Sequence, residues 1–323
     1  MTFSIETYSP NHLEGMVALY NAETVDEPHI APLTPQRFVE LVEQKPAFDP
    51  RGLFLAVEEG RVVGWVHTCL TPGTEPWNNT DKPVARIVML LYSRDRLKVG
   101  SALVAEATTW LQSNDRGPYL ALNPLSGYPF YRGLWLGGEP MGLATLPHIQ
   151  LALTTAGYRA NCESIFMVAE MGEPMEERQV DMPLELDESP APMQHDYMRD
   201  SWAGFEPMTT RAFVGDEQVG FMGWVLLPHV AERLGTPCVN IWGLSVPEKH
   251  RRKGIGAALV AHALHRGYAL GARCASVCTQ LWNAPAQATY ASLGYRPYRL
   301  LIGRTLQESF PRLSDEGTTA GSR

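Results

Sequence analysis

Between residues 238 and 246 apolar and β-branched positions follow one another almost without a break (Val239, Ile241, Trp242, Leu244, Val246). This is the pattern of a strand buried on both faces, and Pro247 closes it because proline has no N–H to give a ladder. A basic turn follows, Arg251-Arg252-Lys253-Gly254-Ile255-Gly256. Beyond it Ile255, Leu259, Val260, Leu264 and Tyr268 recur among alanines at helical spacing, so the turn opens straight into a helix. A strand over residues 272–280 comes next, then a short helix that begins near Asn283 and ends at Gly294 as a left-handed cap, then a further strand after Tyr295.

The earlier part of the chain reads the same way. Residues 3–7 alternate as a strand, and Ser9-Pro10-Asn11 precedes a helix carrying Leu13, Met16, Val17, Leu19 and Tyr20. Thr34-Pro35 starts a second helix, which Pro46 ends. Residues 53–57 and 62–70 form a hairpin about Glu59-Gly60, and a loop over 71–83 leads to a strand over 84–91 and a helix opening at Gly100. The alternation predicts an α/β fold with a mixed, α+β-type sheet.

The chain also repeats itself. The hairpin leaving through Gly64-Trp65-Val66 resembles a later one leaving through Gly223-Trp224-Val225. The run Gly100-Ser101-Ala102-Leu103-Val104-Ala105 parallels Gly256-Ala257-Ala258-Leu259-Val260-Ala261, and Gly157-Tyr158-Arg159 parallels Gly294-Tyr295-Arg296.

 Matches that recur in one order predict a duplication. Residues 1–171 are then a first domain and 172–192, rich in Glu, Asp, Met and Pro, a linker in which residues 179–186 can be extended. Residues 193–313 form a second domain that opens with a helix-like segment over 194–205, and the small, polar residues 314–323 form a disordered tail.

A strand that delivers a glycine turn to a helix start is an anion site. Several N–H groups of a first helical turn lack partners within the helix, and the helix dipole adds positive charge there, so main chain alone can hold a pyrophosphate. Gly254 and Gly256 have no Cβ to keep phosphates at a distance, while Arg251, Arg252 and Lys253 add charge and forked donors. The turn lacks the Gly-Lys-Ser/Thr ending of a Walker loop and has too few glycines for a dinucleotide fingerprint.

In their order and spacing, Arg251-x-x-Gly254-x-Gly256 and the later Asn283, Tyr290 and Gly294-Tyr295 resemble the GCN5-related N-acetyltransferase (GNAT) superfamily. The resemblance implies acetyl-CoA as cosubstrate. It implies that the main chain around Arg251, Arg252, Lys253, Gly254, Ile255 and Gly256 binds the pyrophosphate, that the strand edge at Leu244, Ser245 and Val246 bonds the pantetheine arm, and that Asn283 contacts that arm. It further places Tyr290 near the thioester sulfur. A phenol of pKa ~10 facing a thiol of pKa ~8.5 is uphill as a donor by roughly 2 kcal/mol, and desolvation of the thiolate narrows that gap, so Tyr290 suits a general acid.

The first copy departs from this pattern. Aligned on Gly100 it offers Asp95 in place of the leading arginine and Lys98 in place of the first glycine, and Leu153 takes the place of Tyr290. A carboxylate beside a pyrophosphate is repulsive and a Cβ obstructs main-chain approach, so the first copy is expected to be catalytically silent. It also carries an aromatic insertion over residues 123–147 with Tyr128, Tyr131 and Trp135, expected to pack on the other domain and to wall an acceptor pocket.

Composition narrows the function classes. The 323 residues exceed one ordinary domain, and a net charge of −8 argues against a general nucleic-acid binder despite the cluster from Lys249 to Lys253. The five cysteines, Cys69, Cys162, Cys238, Cys274 and Cys278, are scattered and read as thiols, with no metal site. The first residues lack a secretion pattern and no apolar run is long enough to span a membrane, so the expected compartment is the cytoplasm and the protein a monomer or homodimer. The strand over 238–246 carries no carboxylate; Glu248, His229, His250, His262 and His265 are the titratable groups nearby, and none is assigned as a base. The leading expectation is transfer of an acetyl group to a small-molecule primary amine in the second domain. A protein or peptide amine is the alternative acceptor, and a non-catalytic acyl-CoA sensor is the alternative of another class.

Overall fold

The computed structural model describes residues 2–71, 84–115, 117–123, 129–137, 140–176, 178, 180–192 and 196–306. The expected loop over 72–83, Tyr128 of the insertion and the tail over 314–323 lie outside the described residues. The first copy contributes β1 (Ser4–Thr7), α1 (Leu13–Glu23), α2 (Pro35–Phe38), β2 (Leu53–Glu58), β3 (Arg61–Thr71), β4 (Val84–Tyr92), α3 (Leu97–Asn114), β5 (Tyr119–Ala121), α4 (Pro147–Thr155) and β6 (Tyr158–Glu170). The second contributes β7 (Glu185–Pro190), α5 (Asp196–Ser201), β8 (Met208–Val214), β9 (Glu217–Leu227), α6 (Ala231–Leu234), β10 (Cys238–Ser245), α7 (Ile255–Ala269), β11 (Cys274–Gln280), α8 (Ala284–Ala291) and β12 (Arg296–Leu306).

The described strands form one mixed sheet in the order β1-β2-β3-β4-β5-β12-β6-β11-β10-β9-β8-β7. Each copy lays down five strands from its own edge, and then the two exchange. β12 of the second copy sits between β5 and β6 of the first, and β6 sits between β11 and β12 of the second. β6 is antiparallel to both neighbours, paired with β11 from Cys274↔Glu170 to Gln280↔Ser164 and with β12 from Arg296↔Val168 to Leu306↔Tyr158. The larger core follows the exchange, since Leu301, Leu306, Cys238 and Cys274 are buried with first-copy residues such as Trp65, Leu103 and Phe166. A second core lies under α7, where Ile255, Leu259, Val260 and Leu264 meet Val239 and Ile241 of β10.

Two expectations from sequence need correction. The segment 172–192 is not all linker, because β7 falls inside it and pairs with β8 from Glu185↔Phe213 to Pro190↔Met208. Its acidic, weakly apolar sequence suits a strand with one free edge, which is why it reads as loop. The repeat of Gly-Trp-Val is displaced by three residues. Gly64 packs on Val99 and Leu103 of α3, and its counterpart on Ile255 and Leu259 of α7 is Gly220, not Gly223. Each of these glycines pairs with an alanine across its hairpin, Ala56 or Ala212, so turn and helix fix the register and the matching letters do not.

One edge contact ties β7 to the helix layer. The Glu188 carboxylate accepts from the Trp224 indole N–H at 3.2 Å and the Arg266 Nε–H at 3.2 Å, and lies 3.2 Å from His262 Nε2. Trp224 is only 2 % exposed, so deleting the carboxylate strands a buried donor. Glu188→Ala is expected to lower unfolding free energy by about 2 kcal/mol in chemical denaturation, and Glu188→Gln, which keeps an acceptor, by clearly less. Equal losses would show that the indole bond does not matter.

Candidate functional site

β10 and β11 pair in parallel only from Cys238↔Cys274 to Ile241↔Val277, although β10 continues to Ser245 and β11 to Gln280. Beyond that point the strands part. On its other side β10 still pairs with β9 at Trp242↔Gly223 and Ser245↔Phe221, with a register shift between them. Gly243 makes the shift possible, with φ +65°, where a side chain would be strained. The β11-facing edge at Leu244-Ser245-Val246 is therefore left without a strand partner. A glycine inside an apolar strand was the sequence signal for this bulge.

The anion turn stands at the open end. Gly254 heads α7 with φ +83°, and Arg252 is also left-handed at φ +61°. Left-handed residues alternating with ordinary ones turn neighbouring N–H groups to one side, a concave arrangement that suits an anion. No side chain caps α7, so its first-turn amides keep their capacity for a ligand. Arg251, Arg252, Lys253 and Gly254 are exposed, and Arg251 Nε donates to the Val246 carbonyl at 2.9 Å, folding the turn back onto the strand end. Gly256 faces a gap. A Cβ there would have Leu244, Val246 and Thr289 of α8 as its nearest neighbours, at 3.8, 3.9 and 4.0 Å. Ile255 is buried beneath and anchors the turn to the core. Thr289, the far wall of this gap, was not singled out from sequence because a threonine on a short helix carries no special pattern.

Asn283 is the N-cap of α8. Its Oδ1 accepts from the Ala286 N–H at 3.4 Å and its Nδ2 donates to Thr279 Oγ1 at 3.2 Å, which fixes α8 against β11. From the same helix Tyr290 points inward, 4 % exposed, with its ring 5.7 Å from that of Tyr295. Burial, with Cys278 as a lesser cause, pushes its phenol up to about 12. Cys278 is the first β11 residue past the stretch paired with β10. Leu244, Val246 and Gly256 are thus brought together beside Thr289 of α8, the helix from which Tyr290 is buried in the core.

The corresponding place in the first copy is filled. Only four residues, 93–96, connect β4 to α3, against nine, 246–254, between β10 and α7. The Tyr92 ring lies on Gly100, where a Cβ would come 2.3 Å from Cε1, and its hydroxyl donates to the His148 carbonyl. The amides of Val99 and Gly100 both turn back to the Arg96 carbonyl, at 2.9 and 3.3 Å, and Arg96 is paired with Glu58. Leu153 is fully buried.

The insertion packs across the two copies, as expected. Trp135 lies on Phe166 with centroids 4.3 Å apart, and Gly133 meets Phe205 and His229. The Leu136 carbonyl accepts from the buried Ser276 hydroxyl of β11, which also accepts from Asn240 Nδ2 of β10 at 3.1 Å. It therefore closes the side of β10 and β11 opposite α7. The histidines are engaged elsewhere: His262 with Glu188, His265 Nδ1 with the Met175 carbonyl at 3.0 Å, His250 with Glu217, and His229 against the Phe205 ring. Among the described residues no group of His, Cys, Asp and Glu is placed to hold a metal ion, and no helix is long and apolar enough to cross a membrane.

Comparison with known proteins bears on this geometry. Residues 173–295 match the model of the acetyltransferase (GNAT) family. A search of curated proteins finds no match. Among solved structures, the chain is similar to a tandem GNAT protein from the clavulanic acid biosynthesis pathway, at 17 % identity and TM-score 0.63, covering 94 % of this chain and 98 % of that one. It is similar to a GCN5-related N-acetyltransferase from Sphaerobacter thermophilus, at 12 % identity and TM-score 0.62, covering 94 % and 95 %. These likenesses establish the fold along nearly the whole length.

Proposed function

From the premise that residues 173–295 belong to the acetyltransferase (GNAT) family, within a chain that has the tandem GNAT fold, we propose that this protein transfers the acetyl group of acetyl-CoA directly to the primary amine of a small molecule, with the chemistry in the second copy. The observation that carries the reading is the end of β10–β11 pairing at Ile241↔Val277 beside a glycine-headed, uncapped helix, with Tyr290 buried on the neighbouring helix α8. The residues present fit the cosubstrate. Arg252 to Gly256 would hold its diphosphate by main-chain N–H groups, helped by the charge of Arg251, Arg252 and Lys253. The free edge at Leu244, Ser245 and Val246 would bond an extended amide-bearing arm as a missing strand would. Asn283 would fix the start of α8 beside that arm.

Bound this way, acetyl-CoA supplies an activated acyl carbon. The cleft holds it still against an incoming amine, which removes much of the entropic cost of bringing two reactants together. As the amine nitrogen bonds to the acyl carbon and the carbon–sulfur bond breaks, Tyr290 donates its proton to the leaving sulfur, and the proton shed by the amine passes to solvent. No side chain is assigned as base, because an amine that binds neutral needs none. The insertion around Trp135 and Leu136 closes the face of β10 and β11 opposite α7, and a small amine is the acceptor proposed.

Release of the CoA thiol, followed across a panel of small amines and short peptides, tests the proposal. Turnover with small amines is expected. Gly254→Val should weaken CoA binding about 30-fold, since strain at a left-handed position alone costs about 2 kcal/mol. Binding of CoA with no transfer to any amine would favour a sensor instead.

A further inference from the structure

The nine residues that join β10 to α7 are tied down just ahead of the anion turn. Residues 248–250 form one short turn, in which the His250 N–H donates to the Pro247 carbonyl at 2.9 Å and the Arg251 N–H to the Glu248 carbonyl at 3.1 Å. From that turn the Lys249 ammonium pairs with Oε1 of Glu217, and His250 Nε2 lies 3.1 Å from the same oxygen. Glu217 opens β9, directly after the Gly215-Asp216 turn of the β8–β9 hairpin. The next residue, Arg251, is tied the other way, its Nε–H donating to the Val246 carbonyl at 2.9 Å. Three consecutive side chains are thus anchored to protein immediately before the left-handed Arg252.

These ties divide the basic run. Lys249, His250 and Arg251 are turned onto the protein, whereas among the described residues the side chains of Arg252 and Lys253 have no hydrogen-bond or ion-pair partner. The Lys249 bond, and after it the His250 contact, holds the Glu217 carboxyl below its ordinary range, so that it is an anion at neutral pH. The first copy lacks this arrangement. Val214↔Glu217 closes the second hairpin as Glu58↔Arg61 closes the first, so the place of Glu217 is taken there by an exposed arginine. The short connection from β4 to α3 is held instead by the pairing of Glu58 with Arg96.

By charge alone Glu217 is out of place. A carboxylate near a bound diphosphate repels it. Its contribution is to shape. A nine-residue connection loses backbone freedom when it is ordered, and the N–H groups of residues 252–256 turn to one side only while Arg252 and Gly254 keep their left-handed conformations. Two donors converging on one fixed oxygen narrow the set of conformations open to the loop.

We propose that Glu217 is a positioning residue for the coenzyme: by holding Lys249 and His250 to the β8–β9 hairpin, it keeps the turn at 252–256 in its diphosphate-binding shape before the ligand arrives. This holds on the reading that residues 252–256 take the diphosphate. The apparent affinity for CoA is the intrinsic affinity reduced by the fraction of molecules with the turn formed. Releasing the loop therefore weakens binding, even though it removes a like charge from beside the ligand.

The test uses the full-length protein and CoA itself, with calorimetric titration of each variant and thermal unfolding to compare their folds. Glu217→Ala should raise the Kd for CoA about fivefold, and Glu217→Gln, which keeps an oxygen for both donors, about twofold or less. Lys249→Ala should weaken binding in the wild-type background but change Kd less than about 1.5-fold in the Glu217→Ala background, where its partner is already gone. If Glu217→Ala binds CoA as tightly as wild type or more tightly, while Gly254→Val weakens binding, the positioning role is refuted and the diphosphate site stands. If Lys249→Ala costs as much affinity with Glu217 absent as with it present, Lys249 acts on the ligand directly and the positioning role is again refuted. If CoA fails to bind wild type, or binds Gly254→Val equally well, the diphosphate site is refuted and the role of Glu217 with it.

Discussion

Replacing Tyr290 with phenylalanine is expected to lower kcat about 10²-fold, with acetyl-CoA affinity changed less than about twofold, since the ring that fills the core is kept and only a proton donor is lost. The raised pKa makes the test sharper. On ordinary values a phenol donates to a thiolate against a gap of about 1.5 pKa units, roughly 2 kcal/mol. With the phenol pushed up to about 12, the gap widens unless the thiolate is raised too. The same burial does raise it, because a thiolate forming between β10 and β11 is drawn out of water as the phenolate would be.

The pH dependence follows from the direction of this shift. A donor with a raised pKa is fully protonated at neutral pH and stays loaded as pH rises past the ordinary phenol value. The ratio of wild-type to Tyr290→Phe kcat should therefore stay flat from about pH 7 to about pH 10. A ratio that falls towards one by about pH 9 would mean that the phenol ionises in the working range. Equal kcat for the two proteins would remove the hydroxyl from the mechanism altogether.

Much of the candidate site was legible because it is local. Strand, basic turn and helix lie within about thirty residues, and each is marked by its own periodicity, by Pro247 or by the glycines. Tyr290 was reachable through its spacing from Asn283 and Gly294. What stayed hidden depends on contacts between distant segments. Val180 meets Gly254 across the length of a domain, and no pattern in a polar connection announces that a valine will lie on a glycine. Tyr92 ends an ordinary apolar strand, and only its packing on Gly100 shows that an aromatic ring has taken the space an anion would need. β7 was legible only as an extended stretch over 179–186, short of its true span Glu185–Pro190, because an edge strand need not alternate strongly when one side stays unpaired.

The exchange of β6 and β12 was hidden for a different reason, and it leads to the other large effect. Two copies with equivalent last strands can pair each strand with its own sheet or with its neighbour's, and sequence periodicity is the same either way. A chain cut after residue 171 loses β12 from between β5 and β6. A chain beginning at residue 172 loses β6 from between β11 and β12. β6 and β12 face each other across ten paired positions. At a net of about 1 kcal/mol for each ladder bond, the loss is on the order of the 5–15 kcal/mol that holds a typical domain together. The cut also uncovers apolar surface, since Leu301 of β12 is fully buried and Leu306 is 6 % exposed. Neither fragment expressed alone is therefore expected to fold, and near-ultraviolet circular dichroism should show no fixed aromatic environment. Expressed together, the two should reassemble into a complex that elutes as the intact chain does, because every strand then finds its partners. A monomeric, cooperatively unfolding 1–171 fragment would mean that the first copy can complete its own sheet. The first copy could then be removed without cost to the second, whereas the exchanged strands make each copy part of the other's core.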